Sequence, residues 1–215
     1  MFIKLCRATD YEDVIRDFRR EICGRLGLNP NGPGIQPLPH ALYIFACDDS
    51  HARPSGMAEF FFYDDVFASF SASIYNHACD LSRIAPMHEM IHVRSVIIDQ
   101  QHRNSKLFLH LSVSLITSAW DLGARYMTAA TSTGYDYILG LHKTAGMTRL
   151  GTFVVDGAPQ QLSLLELEPV AARAQRLRRK TIQTDYSARA AIDRRSPAFF
   201  SSMNVETLRE QIASA

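Results

Sequence analysis

The stretch that decides the fold is residues 90–107, which read MIHVRSVIIDQQHRNSKL. Its first ten residues are rich in β-branched side chains and close on an aspartate, which predicts a strand over 90–99. A polar loop over 100–104 follows, and Ser105 is the expected cap of a helix that runs to about Leu122. Because Leu107–Trp120 contains no Asp, Glu, Lys or Arg, we expect most of this helix to be buried. Its free amino-terminal amides would form an anion site at the loop.

On both sides of this stretch the sequence alternates between strand and helix patterns. The order strand, helix, strand predicts a right-handed crossover between parallel strands, and a closing hairpin predicts antiparallel ones. The expected fold class is therefore α/β or α+β, with a mixed central sheet flanked by helices. The predicted strands are 2–7, 41–47, 56–63, 90–99, 125–130, 152–156 and 161–168. The predicted helices are one that follows the cap Thr9 and ends near Gly24 or Gly27, one over 105–122, and one over 133–144 that Thr133 caps.

The carboxy-terminal part differs in composition from the rest of the chain. We expect one domain over residues 1–168 and a polar, helical extension over 169–215. Five cations occupy eight residues of this extension, namely Arg173, Arg176, Arg178, Arg179 and Lys180. A basic helix of this kind suits an acidic protein partner, although a solvated helix face also accounts for it.

Composition excludes several classes of protein. The chain has 215 residues and a formal net charge of +1, so no strong global field directs it toward nucleic acid. Its four cysteines lie far apart without a C-x-x-C pair, which indicates reduced thiols. The first residues soon become polar and acidic, and no run reaches the roughly 18 apolar residues of a membrane span. We therefore expect a cytoplasmic protein without a signal peptide or a membrane span.

Residues 96–107 resemble the central motif of the GNAT acyltransferases, which is a strand, a loop of the form Arg/Gln-x-x-Gly-x-Gly/Ala and a helix. Residues 137–147, YILGLHKTAGM, look like the later helix of that family with its closing element. Residues 7–20 resemble the opening of its autoinducer-synthase branch. The resemblance covers about residues 2–168. It implies an N-acyltransferase similar to the N-acyl amino acid synthases and the acyl-homoserine-lactone synthases.

The loop departs from the family pattern at its two glycines, where Lys106 and Phe108 stand. The same loss is known in the synthases named above, which commonly take their acyl group from acyl carrier protein. The resemblance therefore implies an acyl thioester of phosphopantetheine as donor, carried on acyl carrier protein or on coenzyme A. We expect no metal, because the H-E-x-x-H stretch at residues 88–92 runs into a strand. The positions that it assigns to the donor are Val96, Ile98, Arg103, Ser105 and Lys106, and the basic helix is the expected docking site for the carrier protein.

Transfer to a small amine, such as an amino acid, needs a base to deprotonate the acceptor. Glu89 and His92 lie at the start of the central strand and are the candidates for this base. Arg94 shares the strand face of His92 and is a candidate for binding a carboxylate of the acceptor. Tyr135, before the later helix, is a candidate for protonating the departing thiolate. Glu59 is a further acidic candidate, but a solvent-facing position is its expected place.

A zinc-dependent hydrolase is the first alternative, because residues 88–92, HEMIH, match the H-E-x-x-H signature. That chemistry requires both imidazoles on one face of a helix. Pro86 precedes the motif and β-branched residues follow it, so we expect it to run into a strand. The second alternative is a non-catalytic module that binds acyl thioesters on the same fold.

Overall fold

The computed structural model describes residues 2–7, 10–25, 37, 41–47, 53–63, 79–102, 106–155, 157–181 and 183–185. In these residues the elements are β1 (Phe2–Arg7), α1 (Glu12–Arg25), β2 (Leu42–Cys47), β3 (Pro54–Phe62), β4 (Met90–Ile98), α2 (Leu107–Asp121), β5 (Tyr126–Ser132), α3 (Asp136–Thr144), β6 (Thr148–Val155), β7 (Ala158–Glu166), α4 (Glu168–Thr181) and β8 (Gln183–Asp185). Short 3₁₀ turns cover Leu81–Arg83, Met87–Glu89 and Gln100–His102.

The chain divides into a first unit, residues 1–59, 97–111 and 182–215, and a second unit, residues 60–96 and 112–181. In the first unit the strand order is β8-β1-β2-β3, with β1 antiparallel to β2 and parallel to β8. In the second unit the order is β3-β4-β5-β7-β6, with β4 parallel to β5 and β7 antiparallel to both of its neighbours. The predicted mixed sheet and α/β class are confirmed. The predicted boundary between a domain over residues 1–168 and an extension over residues 169–215 stays a prediction.

The helix ends follow from local chemistry, with one difference from expectation. Gly123 and Gly146 have φ values of 99° and 84°, which suit glycine and end α2 and α3 where the sequence predicts. Thr133 was the expected cap of α3, but its backbone N–H and its hydroxyl both donate to the carbonyl of Pro159. The helix therefore starts later, at Asp136, after Tyr135, which makes no side-chain capping bond.

The segment that follows α4 corrects the prediction of a purely helical tail. Residues 183–185 form β8, which pairs in parallel with β1 from Phe2↔Gln183 to Lys4↔Asp185. The residues of β8 are polar and have no apolar alternation. Main-chain hydrogen bonds to the edge of β1 create this strand, and a pattern of side chains does not reveal such pairing.

Glu59 on β3 is also placed differently from the expectation of a solvent-facing residue. Its side chain is fully buried, and it accepts hydrogen bonds from the guanidinium of Arg19 on α1 and the phenol of Tyr43 on β2. Every residue of β3 is buried, because β3 is an interior strand. A carboxylate there needs a cation and hydrogen bonds to remain charged, and Arg19 and Tyr43 supply them.

Gly56 lets the first turn of α2 pack closely on β3. A Cβ atom at this position would lie 2.9 Å from Leu111 Cδ1, 3.1 Å from Leu107 Cδ2 and 3.4 Å from the Ile97 carbonyl oxygen. All of these residues belong to the first unit. The absence of a side chain at residue 56 therefore sets the distance between the helix and the strand.

We predict that Gly56→Ala lowers the free energy of unfolding by about 1–3 kcal/mol, because the two leucines must shift to accept the methyl group. Urea denaturation followed by circular dichroism measures the change. Gly24→Ala is the matched control: a Cβ atom there meets nothing within 4 Å, and alanine in a helix should stabilise by up to about 1 kcal/mol. Equal stabilities for Gly56→Ala and the wild type would contradict this account.

Candidate active site

His92 is a buried imidazole on β4, an interior strand of the second unit. Its exposed fraction is 2%. It stands opposite Thr128 of β5 in the parallel ladder, and its Nδ1 atom lies 2.9 Å from Thr128 Oγ1. The ring is enclosed by Phe61, at 5.4 Å between centroids, and by Tyr63, at 5.9 Å. Packing and hydrogen bonding thus fix the orientation of this ring.

Thr128 joins His92 to two further groups. Its hydroxyl lies 2.9 Å from the Tyr63 hydroxyl and donates to the Ile91 carbonyl at 3.2 Å. Thr128 is itself fully buried. The sequence pattern does not reveal Thr128 or Tyr63 as partners of His92, because only the pairing of strands in the folded chain brings them together. The alternation of β5 would have placed Thr128 on one sheet face, but not opposite residue 92.

The β4–β5 ladder ends next to His92. Four pairs form it, from Met90↔Tyr126 to Val93↔Ala129, and both strands, which are described throughout, continue beyond the last pair. The continuing part of β5, residues 130–132, keeps its pairing with β7. Residues 94–96 and 130–132 are half-buried or exposed. The parallel pair therefore opens immediately after the rung that follows His92.

The other predicted catalytic residues lie in the same unit, at different depths. Arg94 is half-buried and lies two residues after His92, on the same strand face. Glu89 is partly exposed at the end of a 3₁₀ turn, and its carbonyl accepts from the Arg125 N–H at 2.7 Å. Tyr135 is 65% exposed. In the structure His92 is thus the deeply buried member of this predicted set.

The predicted donor positions fall in both units. Val96, in the second unit, is 38% exposed at the opening of the ladder. In the first unit, Ile98 is half-buried at the end of β4, and Lys106 is exposed just before α2. Arg103 and Ser105 lie outside the described residues, so their assignment stays a prediction.

Asp99 organises the start of the loop in the first unit. It accepts from the Gln101 N–H at 3.2 Å and from the Arg25 guanidinium at 2.9 and 3.1 Å, while its own N–H donates to the Ser55 carbonyl at 2.9 Å. Burial alone would raise the pKa of Asp99, but the Gln101 N–H and the charges of Arg25 and Arg53 outweigh burial and hold that pKa below its ordinary value. The loop therefore leaves β4 from a fixed, ionised anchor.

The HEMIH stretch lacks the helix that a zinc-protease site requires. Met87–Glu89 is a single 3₁₀ turn, and β4 begins at Met90. His88 is 75% exposed as a side chain, whereas His92 is buried with Nδ1 against Thr128. The two imidazoles thus do not share a helical face. This agrees with the expectation that the motif runs into a strand. Among the described residues, no group of three or more His, Cys, Asp and Glu is arranged to hold a metal ion.

The basic run on α4 is divided between two faces of the helix. Arg178 is four residues after Ala174 and seven after Ala171, a spacing that places all three on one face. Both alanines are buried, and Arg178 donates to Asp121 of α2 at 3.4 Å. Arg173, Arg176 and Arg179 are exposed, and the side chain of Lys180 lies outside the described residues. None of the helices in the described part of the chain has the length and hydropathy that a membrane span requires.

Solved structures resemble this chain in fold at low sequence identity. BjaI, a CoA-dependent acyl-homoserine lactone synthase in complex with SAM and isopentyl-CoA, superposes with a TM-score of 0.63 and 17% identity over 85% of this chain and 92% of its own. MesI, also a CoA-dependent acyl-homoserine lactone synthase, gives 0.57 and 16% over 84% and 96%. A chimera of the spermidine N-acetyltransferase SpeG from Vibrio cholerae gives 0.53 and 9% over 79% and 98%.

No protein-family model matches the chain, and no curated protein sequence matches it. At identities below a fifth, the structural likeness is evidence for the fold and not for a reaction. Both acyl-homoserine lactone synthases and acetyltransferases occur among these structures, in agreement with the predicted resemblance. The chain therefore has the GNAT fold, which it shares with these structures.

Proposed function

We propose that the chain is an N-acyltransferase that moves an acyl group from a phosphopantetheine thioester to the amine of a small acceptor such as an amino acid. The observation that carries the proposal is His92, a buried and oriented imidazole placed beside the opening of the β4–β5 ladder. The reaction class is inferred by analogy with the acyl-homoserine lactone synthases and the N-acetyltransferase that share this fold. An extended pantetheine arm suits the opening, because its amides can pair with strand backbone as an added strand does.

In the proposed reaction His92 acts as the general base. It accepts a proton from the acceptor amine, whose nitrogen attacks the carbonyl carbon of the thioester. A backbone N–H of β4 beyond Val93 is our candidate for holding the oxyanion. The C–S bond then breaks, and the pantetheine sulfur leaves with the bonding electrons. The proton that His92 accepted from the amine passes to this sulfur. Glu89 as an alternative base and Tyr135 as the proton donor to sulfur stay proposals, and Glu89→Gln and Tyr135→Phe test them.

We predict that His92→Gln lowers kcat by about 10²–10⁴-fold, the usual contribution of a positioned base. Acyl transfer from acyl carrier protein and from acyl-CoA to a pool of amino acids, detected by mass spectrometry, measures it. His88→Gln is the matched control from the same segment and should retain activity, because His88 is exposed. A zinc hydrolase would lose activity in both variants. Full activity of His92→Gln would refute the role of His92, and no transfer by the wild type would favour a non-catalytic module.

For the acceptor we propose that Arg94 binds a carboxylate. Arg94 and His92 share a strand face, so an amino acid held by its carboxylate at Arg94 would present its amine toward the imidazole. A planar guanidinium binds a carboxylate with two parallel hydrogen bonds, which lysine cannot reproduce.

We predict that Arg94→Lys raises the acceptor KM by about tenfold or more, the size expected for a charge-assisted hydrogen bond, and leaves the donor KM unchanged. Steady-state kinetics with each substrate varied in turn measures both constants. Ser95→Ala is the control, because the neighbouring residue faces the other side of the strand. A parallel rise in both KM values, or an equal effect of Ser95→Ala, would show that Arg94 acts through folding.

For the donor we propose an acyl carrier protein docked on the exposed arginines of α4, Arg173, Arg176 and Arg179. Carrier proteins are acidic along the helix that bears the arm, and a basic helix attracts such a surface. Arg178 is excluded from the docking set because it pairs with Asp121. Acyl-CoA remains the second candidate donor, since BjaI and MesI are described as CoA-dependent.

We predict that reversing Arg173, Arg176 and Arg179 to Glu lowers kcat/KM with acyl carrier protein and spares a small pantetheine thioester, which has no acidic helix. The loss should shrink at high salt, because the Debye length falls from about 10 Å at 0.1 M to about 3 Å at 1 M. The corresponding triple Lys variant keeps the charge and is the control. Equal losses of kcat/KM with both donors would show that the three arginines have a structural role and do not dock a carrier protein. If the wild type prefers acyl-CoA, the proposal of acyl carrier protein as donor is refuted, but the proposed acyl transfer is not.

A further inference from the structure

We propose that Thr128 sets the tautomer of His92 and thereby makes Nε2 the basic nitrogen. This inference rests on the proposed function for its catalytic meaning, but the hydrogen-bond assignment stands on the geometry alone. Thr128 is a positioning residue in this scheme, and Tyr63 is its partner. All the groups involved belong to the second unit of the chain.

A threonine hydroxyl has one O–H to donate and two lone pairs with which it can accept hydrogen bonds. Three polar atoms surround Thr128 Oγ1: the Ile91 carbonyl oxygen at 3.2 Å, the Tyr63 hydroxyl at 2.9 Å and His92 Nδ1 at 2.9 Å. A carbonyl oxygen only accepts. The contact with Ile91 is therefore a hydrogen bond only when Thr128 donates its one proton to it.

The other two contacts then have a single solution. With its proton committed to Ile91, the Thr128 oxygen can only accept, so the Tyr63 hydroxyl and the His92 Nδ1–H must both donate to it. This arrangement satisfies all three contacts at once, which buried polar groups require. A neutral imidazole carries one proton. When that proton is on Nδ1, Nε2 holds the lone pair that can receive a proton from an amine.

Burial strengthens this control over the tautomer. His92 and Thr128 are both almost completely buried, and an unmade hydrogen bond in such a place carries the full cost of desolvation. In aqueous solution the neutral histidine side chain favours the opposite tautomer, with the proton on Nε2. The Phe61 and Tyr63 rings confine the imidazole, so it cannot easily turn its other nitrogen toward Thr128. The hydroxyl at residue 128 is then the group that decides where the proton resides.

Nitrogen NMR of the full-length protein labelled with ¹⁵N-histidine tests the assignment without any assay of activity. Protonated and unprotonated imidazole nitrogens have well-separated shifts, and the signals that disappear in His92→Gln identify His92. Spectra are recorded well above the ordinary histidine pKa of about 6.5. We expect the wild type to show the proton on Nδ1. A proton on Nε2 in the wild type would overturn the inference, whatever the activity.

Two substitutions at residue 128 test its role. Thr128→Val keeps the shape and removes the hydroxyl, so we expect the His92 proton to move to Nε2 and kcat to fall by about tenfold, with both KM values unchanged. Thr128→Ser restores an acceptor and should restore both the Nδ1 tautomer and kcat. A Thr128→Val protein that keeps the wild-type tautomer, or that changes tautomer without losing kcat, would contradict the inference.

The same measurements separate this inference from the proposed function. If the tautomer behaves as expected but His92→Gln retains activity, the hydrogen-bond assignment holds and the general-base role of His92 fails. If His92→Gln is inactive but the wild-type proton lies on Nε2, the base stands and the role of Thr128 fails. Thermal unfolding of the Val and Ser variants checks that both remain folded. If Thr128→Val does not fold, a Thr128→Ser protein with the Nε2 tautomer would still overturn the inference.

Discussion

The short parallel ladder between β4 and β5 is the constraint on which the candidate site depends. Its register fixes Thr128 opposite His92 and ends one rung later, at Val93↔Ala129. A longer ladder would cover the strand beyond Val93, and a shift by one residue would turn the imidazole to the other face of the sheet. The position of a buried polar side chain and the place where the sheet opens are thus set by the same four pairs.

Glu59 on β3 and His92 on β4 are buried polar side chains on interior strands, one in each unit, and both are held by hydrogen bonds. In the first unit Glu59 receives hydrogen bonds from Arg19 and Tyr43, and in the second unit His92 is held by Thr128. A buried polar group without partners is costly, so each constrains its neighbours strongly. They differ in chemistry, because Glu59 pairs with the Arg19 cation, whereas His92 contacts the Thr128 hydroxyl and the Phe61 and Tyr63 rings.

The sequence was sufficient for the order of elements and for the central strand, because residues 90–107 combine a strand pattern, a loop and a buried helix. Pro86 and the β-branched residues after HEMIH also indicated a strand at this motif and not the helix that a zinc-protease site requires. Features that depend on pairing across the chain were missed: β8 has no pattern of its own, and Glu59 looks like an edge residue until its neighbours are known. Thr128 and Tyr63 were overlooked for the same reason, since register alone brings them to His92.

The basic run on α4 shows how packing divides one sequence signal into two roles. Read along the chain, Arg173–Lys180 is a single cluster of like charge. On the helix, Ala171 and Ala174 define the buried face, and the residue at the next position on that face is Arg178. Its ion pair with Asp121 is only slightly exposed, so water screens it less than a pair on the surface. That pair helps to fix the rotation of the helix about its axis, and the same rotation directs the remaining arginines outward. The docking surface that a run of charges predicts therefore contains only those charged residues that do not hold the helix in place.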